Sequence, residues 1–129
     1  MNVELEFLRK ATVLKIHRRA IASFGGFPGL RDEGALESAL LAAENRYFYE
    51  GVSLAECAAA YAYHLCQAHA FVDGNKRVAA LAAEAFLLLN GAILAATNDE
   101  LINLFLAIAS GELSRSATDR FFRERVRSG

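Results

Sequence analysis

Apolar positions recur at three- and four-residue steps from the start of the chain. Leu5, Leu8, Ala11, Thr12, Ile16, Ala20 and Phe24 mark one stripe, with Arg9, Lys10, Arg18 and Arg19 on other faces. That period is the mark of an amphipathic helix, predicted here from Glu4 to Ser23 and stopped by Gly25-Gly26. Phe27-Pro28-Gly29-Leu30-Arg31-Asp32-Glu33-Gly34 holds the only proline and reads as an ordered turn, with Asp32 placed to cap the next helix. That helix is predicted over Ala35 to Glu44, with Leu36, Ala39, Leu40 and Ala43 inward, then an aromatic connector, Tyr47-Phe48-Tyr49, ended by Gly51.

Ser53-Leu54-Ala55-Glu56 and Thr97-Asn98-Asp99-Glu100 are capping-box patterns, in which side chain and backbone satisfy each other's orphan groups. The first opens a helix to about Gln67 that is apolar on nearly every side, which predicts burial; the second opens Leu101 to Ser110. Between them a very apolar helix is predicted from Lys76 to Leu89, stopped by Asn90-Gly91. A last helix runs from about Ala117 to Arg127, and Ala92 to Ala96 reads as a short extended link. The predicted fold is all-α, a compact bundle of about six helices with two central apolar ones.

Composition bounds this picture. With 129 residues, 54% of them hydrophobic, the chain is expected to form one domain over 1–129 with a sizeable core. Fourteen Lys and Arg against fifteen Asp and Glu give a formal net charge of -1, which argues against direct gripping of nucleic acid over the whole surface. Cys57 and Cys66 fall in one predicted helix, too far apart along it to bridge, so two reduced, buried thiols are expected. Acidic residues stand where a signal peptide wants a basic stretch, and no apolar run approaches ~18 residues. A soluble, cytoplasmic protein without membrane association is the expectation.

The chemistry is concentrated where a polar cluster interrupts the most apolar part of the chain. His69-Ala70-Phe71-Val72-Asp73-Gly74-Asn75-Lys76-Arg77 supplies an imidazole, a carboxylate, an amide, an ammonium and a guanidinium just before a helix begins. A helix N-terminus offers unpaired N–H groups and a positive dipole end, so Gly74, Asn75, Lys76 and Arg77 are candidates for binding phosphate. Asp73 would repel phosphate unless a divalent cation sits between them, which makes it a candidate Mg²⁺ ligand. An imidazole titrates near neutrality, and His69 is the candidate general base. Taken singly each feature has an ordinary alternative: a structural histidine, an Asp-Gly turn, a solvated Lys-Arg pair. Their clustering is what favours the functional reading. His17 and His64 lie inside predicted helices without a ligand set and are expected to be core or surface residues.

The same segment resembles the signature of the Fic/Doc superfamily, H-x-F-x-[DE]-[GA]-N-[GK]-R, at every defined position. Gly25-Gly26-Phe27-Pro28-Gly29-Leu30-Arg31-Asp32, Phe86-Leu87-Leu88-Leu89-Asn90-Gly91 and Ala109-Ser110-Gly111-Glu112-Leu113-Ser114 resemble segments of the Doc (death-on-curing) toxins in the same order. The resemblance implies the compact all-α Fic/Doc fold with the active loop between two central helices. It implies that His69 is the base for the target hydroxyl, Asp73 holds Mg²⁺, Gly74 to Arg77 bind the anion and Phe71 anchors the loop. Lys76 and Ala80 stand where adenylyl-transferring Fic enzymes have Gly and a second Arg, which is the Doc pattern. The implied activity is that of a type II toxin–antitoxin toxin: a protein kinase using ATP and Mg²⁺ to phosphorylate a threonine of elongation factor Tu and block translation. The alternatives are protein adenylylation and a catalytically inactive antitoxin-binding module.

Two departures from the Doc pattern stand out: Gly74 replaces Ala, and Leu81 replaces a polar residue that could contact nucleotide or metal. No Ser or Thr begins the inhibitory pattern [ST]-x-x-x-E-[GN], so the resemblance implies an antitoxin acting in trans, with DNA engaged only through it. Leu14, Phe24, Phe27 and Leu30 are the candidate groove for that antitoxin.

Overall fold

The computed structural model describes residues 4–129. The described chain runs α1 (Lys10–Phe24), α2 (Glu33–Glu50), α3 (Leu54–Ala68), α4 (Asn75–Leu89), β1 (Ala92–Leu94), α5 (Asn98–Ser110), α6 (Arg115–Arg125) and β2 (Val126–Ser128). The all-α expectation with its six helices holds, apart from one small two-stranded sheet. None of the described helices is long and apolar enough to cross a membrane.

Helix α3 is the axis of the fold and packs against α2, α4, α5 and α6. Its segment Cys57–Ala62 is entirely buried, and its run of alanines lets neighbouring backbones come close. Tyr61, Phe86, Phe122, Leu36 and Ile108 fill the space around it. Both capping boxes form as expected, on Ser53 with Glu56 and on Thr97 with Glu100. Cys57 and Cys66 are free and buried, and burial pushes their thiols up to about 12 and about 11.

Four predicted boundaries are corrected. Helix α1 starts at Lys10, not Glu4, because tertiary bonds hold the lead-in out of the helix. Leu8 is buried with its N–H donating to the Tyr61 hydroxyl, and Asn90 bonds the Glu6 N–H and carbonyl. The inward stripe of α1 is therefore Val13, His17 and Ala20, while Ala11, Thr12 and Phe24 are exposed. Helix α2 runs on to Glu50 and absorbs the supposed aromatic connector, with Tyr47 and Phe48 packed against Phe7 and Gly51 closing the end at φ 64°. Helix α6 begins at Arg115, capped by Ser114, and ends at Arg125. The residues after it pair antiparallel with β1, Ala92 opposite Ser128 and Leu94 opposite Val126, so the extended link is a strand.

Candidate active site

The segment from His69 to Gly74 joins α3 to α4, and the turn between α1 and α2 folds against it. An isolated antiparallel bridge pairs Leu30 with Phe71. The Ala70 carbonyl accepts from the N–H groups of Arg31 and Asp32, and the Gly29 carbonyl accepts from Val72 N–H. Arg31 adds a side-chain bond from Nη2 to the His69 carbonyl at 2.6 Å. These contacts hold His69 at φ 49°, the one positive φ outside glycine among the described residues. Such a conformation costs about 1–2 kcal/mol and persists only where the surroundings impose it. The His69 side chain is exposed.

Phe71 is buried and its ring stacks on that of His17, 4.0 Å between centroids and 13° from parallel. Phe71 thus packs the loop against α1. His17 is a core histidine, as expected, but its position has a consequence for the site: Nε2 lies 2.9 Å from the Asp73 carbonyl. A lone histidine in an amphipathic helix gives no sequence signal of that contact.

Asp73 accepts the Phe27 N–H on Oδ2 at 3.0 Å and the Gly74 N–H on Oδ1 at 2.8 Å. Those two bonds, aided by nearby Lys76, hold its carboxyl below the ordinary carboxylate range. Gly26 makes the approach possible, since a Cβ there would lie 2.7 Å from Asp73 Oδ2.

The side chain of Asn75 is engaged by the loop itself. Oδ1 accepts from Phe71 N–H and Nδ2 donates to the Phe71 carbonyl, so the side chain clasps the loop. What remains for an anion is the backbone. Gly74 is the N-cap of α4 and contributes no side-chain cap, as Arg9 contributes none to α1, whereas Asp32, Ser53, Thr97 and Ser114 cap the other four helices. The first turn of α4 therefore keeps free N–H donors.

That turn opens into a cleft of about 710 Å³ lined by Asp73, Gly74, Asn75, Lys76 and Arg77 on one side. Phe24, Gly25, Ala80 and Leu81 continue the wall, and Asn98, Ile102, Phe105 and Leu106 face it from α5. The α5 wall was not anticipated, because its residues read as one face of an ordinary amphipathic helix. His69 and Phe71 are outside the lining, His69 on the exposed turn leading to it. Among the expected groove residues, Phe24 (63% exposed), Phe27 (72%) and Leu30 (36%) surround the motif loop, whereas Leu14 is partly buried against the core.

Among the described residues no cluster of three His, Cys, Asp or Glu side chains could hold a metal on its own. The Asp73 carboxylate still suits a cation with few protein ligands. It is held ionised, and each oxygen keeps a lone pair beyond the one bonded to an N–H. Mg²⁺, which keeps waters and takes phosphate oxygens, fits that donor set.

Comparison with known proteins gives two results. The model of the Fic/DOC family matches residues 7–87, more than half of the chain. A protein of Escherichia phage P1 described as "Protein kinase doc" is 34% identical over 106 residues, an alignment covering 81% of this chain and 83% of the phage protein.

Proposed function

The chain belongs to the Fic/DOC family, in its Doc branch, and from that premise we propose that it is a toxin of the Doc type that transfers the γ-phosphoryl group of ATP to a protein hydroxyl. The observation that carries this reading is the uncapped first turn of α4, opening beside an ionised carboxylate and two cations into one cleft.

The N–H groups of Asn75, Lys76 and Arg77 cradle phosphate oxygens, and the Lys76 ammonium and Arg77 guanidinium neutralise charge that spreads over them during transfer. Asp73 would hold Mg²⁺, which when bound screens the nucleotide's phosphates from the carboxylate. His69 accepts the proton of the incoming hydroxyl while the new O–P bond forms and the bond to ADP breaks. Lys76, bulky and charged at the position of the nest where adenylyl-transferring relatives carry Gly, favours a terminal phosphate over an adenylyl group as the species transferred. The target this reading favours is a threonine of elongation factor Tu, with translation arrest as the result and cytoplasm as the place. Inhibition would come from an antitoxin in trans, covering the exposed Phe24, Phe27 and Leu30 beside the loop.

The test is incubation with ATP carrying a γ-label, Mg²⁺ and elongation factor Tu, with intact mass measured on the product. The expected result is one phosphoryl group on the factor, lost in His69→Ala, Asp73→Asn and Lys76→Ala. Addition of an AMP mass would establish adenylylation instead. No modification by the wild type, or full activity of His69→Ala, would overturn the reading.

A further inference from the structure

Phe24 is the last residue of α1, and its ring is 63% exposed on the rim of the cleft. An aromatic side chain left this open takes little part in the core and keeps a ring face available to another side chain. The Arg77 guanidinium lies over its face, with Cζ 4.2 Å from the ring centroid. Among the described residues Arg77 has no ion pair, and no carbonyl or carboxylate accepts its side-chain donors; the arginines at 46, 123 and 125 all have carboxylate partners.

The difference matters for binding. A carboxylate partner would neutralise Arg77 and occupy the donors that a phosphate needs. A ring face attracts the cation through its quadrupole and leaves the in-plane N–H groups unspent. A stacked guanidinium is also restricted to fewer rotamers before ligand arrives, so less freedom is lost on binding. From this geometry we infer that Phe24 is the positioning residue for Arg77, holding its guanidinium over the cleft with its donors free for a phosphate. The same turn bonds Asp73 through Phe27 N–H, so the end of α1 sets both the cation and the carboxylate of the site.

The inference rests on the phosphate-binding reading of the cleft, and its test separates the two. Binding of ATP with Mg²⁺ is measured by calorimetry for the wild type, Phe24→Leu, Phe24→Trp, Arg77→Ala and the Phe24→Leu/Arg77→Ala double variant. Phe24→Leu keeps an apolar side chain but removes the ring, and should weaken binding about three- to fivefold. Phe24→Trp should restore it, and Phe24→Leu should have no further effect once Arg77 is Ala. The δ-proton signals of Arg77, shifted upfield by the ring, should return to ordinary values in Phe24→Leu. Equal loss from Phe24→Leu in both backgrounds would mean that the ring contacts nucleotide itself and would overturn the inference, as would no loss at all. Unweakened binding by Arg77→Ala, or no binding by the wild type, would instead overturn the phosphate reading, and the inference with it.

Discussion

The side chain of Asn75 and the backbone of Phe71 close a pair of hydrogen bonds, Oδ1 accepting from the Phe71 N–H at 3.0 Å and Nδ2 donating to the Phe71 carbonyl at 2.9 Å. The loop between them, Val72 to Gly74, is thereby fixed at both ends, and it carries Asp73. The family motif asks for an amide at this position, and the two bonds say why: only an amide offers a donor and an acceptor side by side.

Asn75→Asp should therefore be worse than its near-identical shape suggests. It keeps one acceptor for the Phe71 N–H but sets a carboxylate oxygen against the Phe71 carbonyl. A loss of about 1–3 kcal/mol is expected in urea unfolding with unchanged m-value, with faster exchange of the Phe71 amide hydrogen. Stability equal to the wild type would show that the clasp does not hold the loop.

Two neighbouring glycines should behave differently. Gly25 has φ 87° and nothing within 4 Å of a Cβ, so Gly25→Ala suffers backbone strain alone, about 1–3 kcal/mol. Gly26, at φ 115°, would in addition drive a Cβ to 2.7 Å from Asp73 Oδ2. Gly26→Ala should lose more stability and displace the Asp73 carboxyl carbon resonance, which Gly25→Ala should leave in place. Indistinguishable spectra of the two variants would mean that the turn does not approach Asp73 this closely.

The buried pair Arg46–Asp119 ties α2 to α6 through two bonds of 2.9 Å, with side chains only 7% and 8% exposed. Removing one partner strands the other charge away from water. Arg46→Met or Asp119→Leu alone should cost about 3–5 kcal/mol, and the double replacement should cost less than either single one. A double-mutant cycle by urea unfolding measures this, and additive losses would contradict it.

That pair also shows where the sequence stops being informative. The helices were legible because their stripes and caps are local: Ser53 with Glu56 and Thr97 with Glu100 can be read from four consecutive residues. The motif segment was legible because its chemistry is contiguous. Arg46, His17 and Arg31 were not, since each acts on a residue far along the chain, Asp119, Asp73 and His69, and nothing near them in sequence marks the partner. The α1 start failed for the same reason, because Glu6 and Leu8 are held by Asn90 and Tyr61. Residue type alone leaves Asn75 and Phe24 open: an amide that suits a ligand also clasps a backbone, and an exposed aromatic that suits a groove also receives a guanidinium.

Asp73 supplies the last test, because its carboxyl is held below the ordinary value of 3.8 by the N–H groups of Phe27 and Gly74. A carboxyl depressed in the folded state contributes stability that is fully present above its unfolded pKa and is lost as pH falls through its folded one. The amide signals of Phe27 and Gly74 should stay fixed from about pH 7 down to about pH 4 and move together only at lower pH. Both bonds go to one carboxylate, so the two signals should share a single midpoint. In Asp73→Asn that shared transition should vanish, and one of the two N–H groups should already be free at neutral pH, since the amide has only one acceptor atom. A midpoint above 3.8, or different midpoints for the two amides, would show that these bonds do not hold the carboxylate that the site presents to its cleft.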